Sequence, residues 1–339
     1  MKLVDVDALT QIISRVGLKR FNVQLLECLE ADFSQWHTFQ KSSRHVTHYS
    51  QGVIELMPCA NEQLYSFKYV NGHPANTRDG KLCVVAMGLL AEVQHGYPLM
   101  MCEMTLLTAL RTAAMAALGA KYLARQDSRH LALIGTGAQA EFQSHAMLAQ
   151  LPIQQISYFD VDPRAMDKFA NNMNSLEVGL RPCESVAEAV STADVIVTAT
   201  ASKQQVALFD LQQLKPGAHI HAMGGDCSGK TEFSLDMLQQ CKLVVEYIPQ
   251  TKDEGEVQQG DESLIYAELW QLIRGNKVGR VNDVEVTFFD SVGFALEDFS
   301  TLKLVYQLAT QMNLGDDIDM IPQLDNPKDL FSVLKATAY

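Results

Sequence analysis

Gly135-Thr136-Gly137-Ala138-Gln139-Ala140 forms a G-x-G-x-x-A turn directly after the apolar run LALI and before a helix-forming stretch. Alone, such a motif is often only a tight turn; the strand before it and the helix after it give it meaning. Its glycines let the backbone approach a pyrophosphate, and the helix N-terminus offers unpaired N–H groups and a positive dipole end. The next apolar run, ISYFD, ends in Asp160, near the ~20-residue spacing at which an acid grips an adenine ribose 2′-hydroxyl. A carboxylate there repels a 2′-phosphate. The chemistry is dinucleotide binding, with NAD favoured over NADP.

A second group of residues carries charge in apolar company. Arg111 is the only charge between Glu103 and Lys121, in an alanine-rich stretch. A buried guanidinium needs an anion, which is either a structural ion-pair partner or a bound carboxylate or phosphate. Lys68 lies in YSFKYV, on the opposite strand face from Phe67 and Tyr69. Arg44 stands just before VTHYS, and Lys68 and Arg44 each read singly as a solvated edge charge. Glu55, between Ile54 and Leu56, is a half-buried carboxylate suited to face an amine. Asp226, in GGDCSGK after the run HIHAMG, falls at the strand end where open α/β sheets place ligands; in isolation it reads as an Asp turn between glycines. His219 and His221 share one strand face without a third ligand, so they read as packing residues, and no metal site is expected.

The elements that must position these groups fall into two rhythms. The first third is α+β. A helix runs around Phe21 to Phe39, followed by short strands at 46–50, 53–57, 65–70 and 82–90, with turn signals such as Asn71-Gly72 between them. That makes a mostly antiparallel sheet. A helix from about Glu103 to Leu123 has few large side chains, so something must pack closely on its backbone. From Leu131 strands and helices alternate, through ISYFD, DVIVTAT, HIHAMG and KLVVE, which means a parallel sheet with helices on both faces. A long amphipathic helix, Ala295 to Met312, follows. The fold class is α/β, a Rossmann-type unit beside an α+β unit.

At 339 residues the chain has room for two cores, and 47% hydrophobic with 20% charged residues is a globular composition. A net charge of -13 argues against nucleic acid as a partner, and an anionic substrate must be held by a few placed cations. The seven cysteines have no C-x-x-C spacing, so a disulfide framework or zinc site is not expected. Asp5 and Asp7 interrupt any signal-peptide core, and the longest strongly apolar stretch, 82–91, is far short of the ~20 residues of a bilayer span. The expectation is a cytoplasmic protein with no membrane partner.

The segments SRHVTHYSQGVIELMP, FKYVNGHPANT, LTALRTAAMAAL, LALIGTGAQAEFQ, HAMGGDCSGKTE, VEYIPQTKDEGEVQQ and FFDSVGFALED resemble the ornithine cyclodeaminase and mu-crystallin superfamily. Within it, GGDCSGKTE and EYIPQT are similar to the bacterial cyclodeaminases. The resemblance implies an ammonia-lyase of proline biosynthesis and of ornithine and arginine catabolism. It would convert L-ornithine to L-proline and ammonia, with NAD as an internally recycled hydride carrier. Arg44, Lys68 and Arg111 would surround the substrate carboxylate, Glu55 would face the substrate amines and Val292 would line the pocket. Asp226 would be the proton donor and acceptor. Gly135, Gly137, Ala138, Gln139, Asp160, Thr198, Thr200, Lys230 and Ser291 would hold NAD, with Arg111 nearby. Cys83 stands where the family usually has a cofactor-bonding threonine, and a thiol is the poorer donor. The implied organisation is a substrate-binding and dimerisation domain over 1–120, completed by 314–339, and a Rossmann NAD domain over 121–313, in a homodimer.

Two rivals share these features. An NADH-dependent imine or opine-type reductase needs the dinucleotide site and the cations but no second acid for a second amine. A crystallin-like binding protein needs neither the full clamp nor the acid/base group. Lysine and 2,4-diaminobutyrate each differ from ornithine by one methylene, worth ~1–3 kcal/mol in a pocket, and stay open as substrates.

Overall fold

The computed structural model describes residues 1–201, 205–225 and 227–335. The chain opens with β1 (Lys2–Val4), α1 (Val6–Val16) and α2 (Leu18–Ser34). It continues through β2 (Gln40–Lys41), β3 (His45–Tyr49), β4 (Gly52–Ala60), β5 (Leu64–Gly72), β6 (Ala86–Glu92), β7 (Pro98–Glu103) and α3 (Thr105–Leu123). The second rhythm is β8 (His130–Ile134), α4 (Ala140–Gln150), β9 (Gln155–Phe159), α5 (Pro163–Met173), β10 (Gly179–Pro182), α6 (Val186–Val190), β11 (Val195–Thr198), β12 (His219–Ala222), α7 (Leu235–Gln239), β13 (Lys242–Val245), α8 (Ile248–Glu254), β14 (Ile265–Glu268), α9 (Leu269–Ile273) and β15 (Thr287–Asp290). The long helix α10 (Ala295–Met312) and β16 (Asp316–Asp317) complete the frame.

Two eight-stranded sheets result. The first has the order β16-β1-β7-β6-β5-β4-β2, with β3 also on β4. It is antiparallel except where β1 meets β7. The second, β10-β9-β8-β11-β12-β15-β13-β14, is parallel throughout. Its strand order reverses between β8 and β11, the crevice at which doubly wound sheets bind ligands. No helix is long and apolar enough to cross a membrane, among the described residues.

Several elements escaped the sequence reading. Helix α1 and strands β7, β14 and β15 are additional, and β6 begins at Ala86 rather than 82 because Leu82, Val84 and Val85 run exposed. Helix α10 packs on β4, β5 and β6 and on α1, α2 and α3. Leu296, Phe299, Leu302, Val305 and Leu308 thereby join the core of the antiparallel unit. Helix α10, from Ala295, thus packs with the antiparallel unit.

Helix α3 is buried on every side from Arg111 to Ala120, as an apolar helix inside a large core must be. It touches α2, α4 and α10 as well as β12 and β15, so it is the seam between the sheets. A Cβ at Gly119 would stand 2.4 Å from the Phe289 ring, which is the close approach its small residues call for. Gly119→Val is expected to destabilise the protein by about 1–3 kcal/mol through overpacking. A lower urea midpoint measures it; an unchanged midpoint would refute so tight a seam.

Candidate functional site

Strand β5 alternates, so Ser66, Lys68 and Val70 point to the face that α10 covers. Lys68 is 1% exposed and its Nζ lies 2.8 Å from Oδ1 of Asp298, in the first turn of α10. The reading of Lys68 as a solvated edge charge is wrong, because a helix 230 residues later in sequence covers that face. Arg111 reaches the same oxygen, with Nε 3.2 Å away, while its Nη1 is 2.9 Å from Oε2 of Glu297. The Arg44 side chain is 8% exposed and paired rather than solvated. Its Nη1 pairs with Glu55 and its Nε with Glu254, each at 3.1 Å, and Nη2 donates to the carbonyls of Val292 and Gly293 at 2.6 Å.

The three cations thus converge on the turn between β15 and α10. Gly293 has φ +83, and a Cβ there would meet Arg111 Nη1 at 2.6 Å, so only glycine lets the guanidinium lie under the turn. A guanidinium has five N–H donors and an ammonium three. Lys68 commits one donor to Asp298, while Arg111 uses Nε and Nη1. Both keep donors for an incoming carboxylate.

Burial, then the neighbouring Arg111, pushes the Lys68 ammonium down to about 8, against the pull of Asp298. Burial opposes the charge of Arg111, but Asp298 and Glu297 outweigh it and hold the guanidinium charged. Burial and then Glu246 push the Glu297 carboxyl well above the usual range.

The dinucleotide loop sits at the sheet's reversal point. Gly135 has φ +97, and a Cβ would stand 2.6 Å from the Ala199 carbonyl in the loop after β11. Gly137 has open space where a Cβ would be, and Ala138 and Gln139 lead into the eleven-residue α4. Asp160, just past β9, accepts from Thr136 N at 2.6 Å and from Asp162 N at 3.0 Å, so it also holds the loop. Thr198 Oγ1 donates to Glu232 at 2.6 Å, Thr200 N donates to the same carboxylate at 3.1 Å, and Lys230 Nζ donates to Thr200 O at 3.0 Å. Ser291 Oγ donates to Glu246. The Cys83 thiol donates to Pro74 O at 3.6 Å, within its own loop. Asp226 lies outside the described residues.

Sequence reasoning missed the acids that hold this end of the molecule: Glu232, Glu246, Glu254, Glu256, Asp290, Glu297 and Asp298. Most carry the signal that exposed Arg111, a charge within an apolar run. Glu256, desolvated and near Asp290, is pushed up to about 9, and burial takes Asp290 to about 7. His219 bonds Thr287 and His221 packs on Phe289; burial lowers both, His221 to about 3, as packing residues.

The Ornithine cyclodeaminase/mu-crystallin family profile matches residues 6–313. The chain belongs to that family. It is 47% identical over 331 residues to an ornithine cyclodeaminase of Agrobacterium tumefaciens, covering 98% of this chain and 93% of that one. Among solved structures it is similar to a lysine cyclodeaminase studied for recognition of L-lysine, L-ornithine and L-2,4-diaminobutyric acid, at 28% identity over 98% of each chain and a TM-score of 0.91. It is also similar to an archaeal alanine dehydrogenase dimer with bound NAD, at 29% identity over 95% of this chain and 99% of that one, with a TM-score of 0.87.

In this family member Lys68 gives a pH signature. Its folded value of about 8 lies below the ordinary 10.5, so between them the unfolded chain holds the proton that the folded chain has lost. Stability contributed by this group therefore rises with pH across that window, while the cation is lost. Affinity for an amino-acid carboxylate such as L-proline is expected to fall as pH rises through about 8. Lys68→Met should bind weakly with no step there. A flat profile in the unmodified protein, by calorimetry, would remove Lys68 from the site.

Proposed function

We propose that the chain converts L-ornithine to L-proline and ammonia as a homodimer in the cytoplasm, with NAD as its cofactor. The observation that carries this reading is the buried group of Lys68, Arg111, Arg44 and Glu55 beside the loops that close the parallel sheet. The 47% identity to an ornithine cyclodeaminase, set against 34% to an alanine dehydrogenase over 80% of this chain, favours cyclodeamination over simple reduction.

The residues present fit NAD. Gly135 leaves a cradle that a Cβ would fill, Gly137 opens on free space, and the α4 N-terminus offers donors to a pyrophosphate. Asp160 would take the ribose hydroxyl, with Ala138, Gln139, Thr198, Thr200, Lys230 and Ser291 around the rest. The chemistry supplied by bound NAD is reversible hydride transfer, with no net redox change over the reaction.

The chain's own residues do the remainder. Lys68, Arg111 and Arg44 fix the α-carboxylate, so that Cα is held in one orientation, and Val292 walls the pocket. Glu55 orients an amine. Asp226 takes a proton from the δ-ammonium, freeing it to close the five-membered ring on Cα, and returns one to the departing ammonia. The antiparallel unit, 1–120 with α10 and the C-terminal segment, would bind substrate and dimerise, and residues 121–294 would bind NAD. Leu56, Tyr65 and Met87, 46%, 41% and 47% exposed on the sheet face away from α10, support a covered face in the dimer.

Incubation with L-ornithine and catalytic NAD should yield proline by chromatography. Asp226→Asn should lower that yield by ~10²-fold or more while NAD binding persists. A steady absorbance change at 340 nm without proline would favour a reductase instead.

Cofactor choice is a separate test. Asp160→Ala should weaken NAD binding more than NADP binding, narrowing the gap between them. Equal affinities in the unmodified protein would overturn the role of Asp160.

A further inference from the structure

We infer that Glu246 is a positioning residue for the carboxylate clamp, acting through the turn Ser291–Phe294; the inference rests on the clamp reading above. Glu246 follows β13 directly and is fully buried. Its carboxylate collects three donors from one turn: Ser291 Oγ on Oε1, and Val292 N at 3.1 Å and Gly293 N at 2.8 Å on Oε2. The other side of the same turn faces the cations. The carbonyls of Val292 and Gly293 each accept from Arg44 Nη2 at 2.6 Å. Gln250 ties in as well, donating to Gly293 O at 2.7 Å and accepting from Arg44 N at 3.3 Å.

The turn also governs Arg111. The Gly293 backbone lies so close to the guanidinium that no Cβ fits between them. The next residue, Phe294, donates its N–H to Glu297 at 3.0 Å, and the other oxygen of Glu297 holds Arg111 Nη1 at 2.9 Å. A shift of this turn therefore moves both guanidinium groups, although Glu246 touches neither. Glu246 also helps, after burial, to push up the Glu297 carboxyl.

An ionised carboxylate is acceptor-only, so it can take the hydroxyl and both N–H groups at once. An amide in its place turns an NH₂ toward a donor. The turn must then shift to restore its bonds, and a misplaced clamp costs substrate binding and rate together.

A double-mutant cycle separates positioning from general support of the fold. Arg44→Met and Glu246→Gln are each expected to raise KM for L-ornithine by about tenfold. In the Arg44→Met background, Glu246→Gln should raise KM by clearly less than its effect alone, because the part carried by Arg44 is already gone and only the part carried by Arg111 remains. Full multiplication of the two effects, or an unchanged KM in Glu246→Gln, would overturn the role of Glu246. An unchanged KM in Arg44→Met would instead sink the clamp reading and this inference with it. If Glu246→Gln does not fold, Glu246→Asp keeps the charge but shortens the reach, and the same cycle is read with it.

Discussion

The constraint on which the rest depends is the burial of Lys68 and Arg111 against one oxygen of Asp298. Three elements far apart in sequence, β5, α3 and the start of α10, meet at that atom. Two cations removed from water carry a desolvation cost of several kcal/mol each, which attraction offsets only with close, well-placed acids. Asp298 and Glu297 supply them from the first turn of α10. The long helix must therefore come back to the antiparallel unit, and it brings its apolar stripe of Phe299, Leu302 and Val305 onto the sheet with it. A hydrophobic set of equal volume would be as stable or more so. What the cluster offers beyond stability is the donors that Lys68 and Arg111 do not spend on Asp298 and Glu297.

Helix α3 makes the cluster possible by standing between the sheets. Its alanines and Gly119 let Phe289 of β15 press on one side. The C-terminal end of β15 then lies near Arg111, and the turn that follows can touch both Arg111 and Arg44. The parallel sheet thus delivers its ligand-binding edge to the cations of the antiparallel unit. In the function proposed above, a reacting carbon held by those cations would lie beside the loops that would take a dinucleotide.

Much of this was legible from residues alone. The G-x-G-x-x-A turn reads in place because its strand and helix contexts are local, and α10 begins and ends where its pattern says. Lys68 shows the limit. Period two fixes which neighbours it opposes, but nothing near it in sequence says that α10 covers its face. Arg111 was marked by isolation in an apolar helix, yet its partners lie 186 and 187 residues away. Glu297 and Asp298 carry the same mark within FALEDFS. Strand β15, TFFD, is as short as β11, β12 and β13, but it comes straight after a charged loop instead of a helix, outside the strand and helix alternation that marks the other three.

The buried acids follow one rule. Each irregular loop at the ligand end of the parallel sheet has backbone N–H groups that neither sheet nor helix satisfies, and burial makes them costly to leave open. A carboxylate accepts several such donors at once. Asp160 takes Thr136 N after β8, Glu232 takes Thr200 N after β11, Glu246 takes the turn after β15, and Glu256 takes the backbone of Glu232 and Phe233. Loops fixed this way hold their geometry without a ligand, which is what a site for oriented chemistry requires. Burial pushes Glu256, Asp290 and Glu297 toward the neutral form, but those acids that stay ionised would repel a carboxylate or a pyrophosphate. Placed cations are then a necessity. In the function proposed above, Lys68, Arg111 and Arg44 would meet that need on the substrate side, and Lys230, held against Thr200, and the α4 N-terminus on the dinucleotide side.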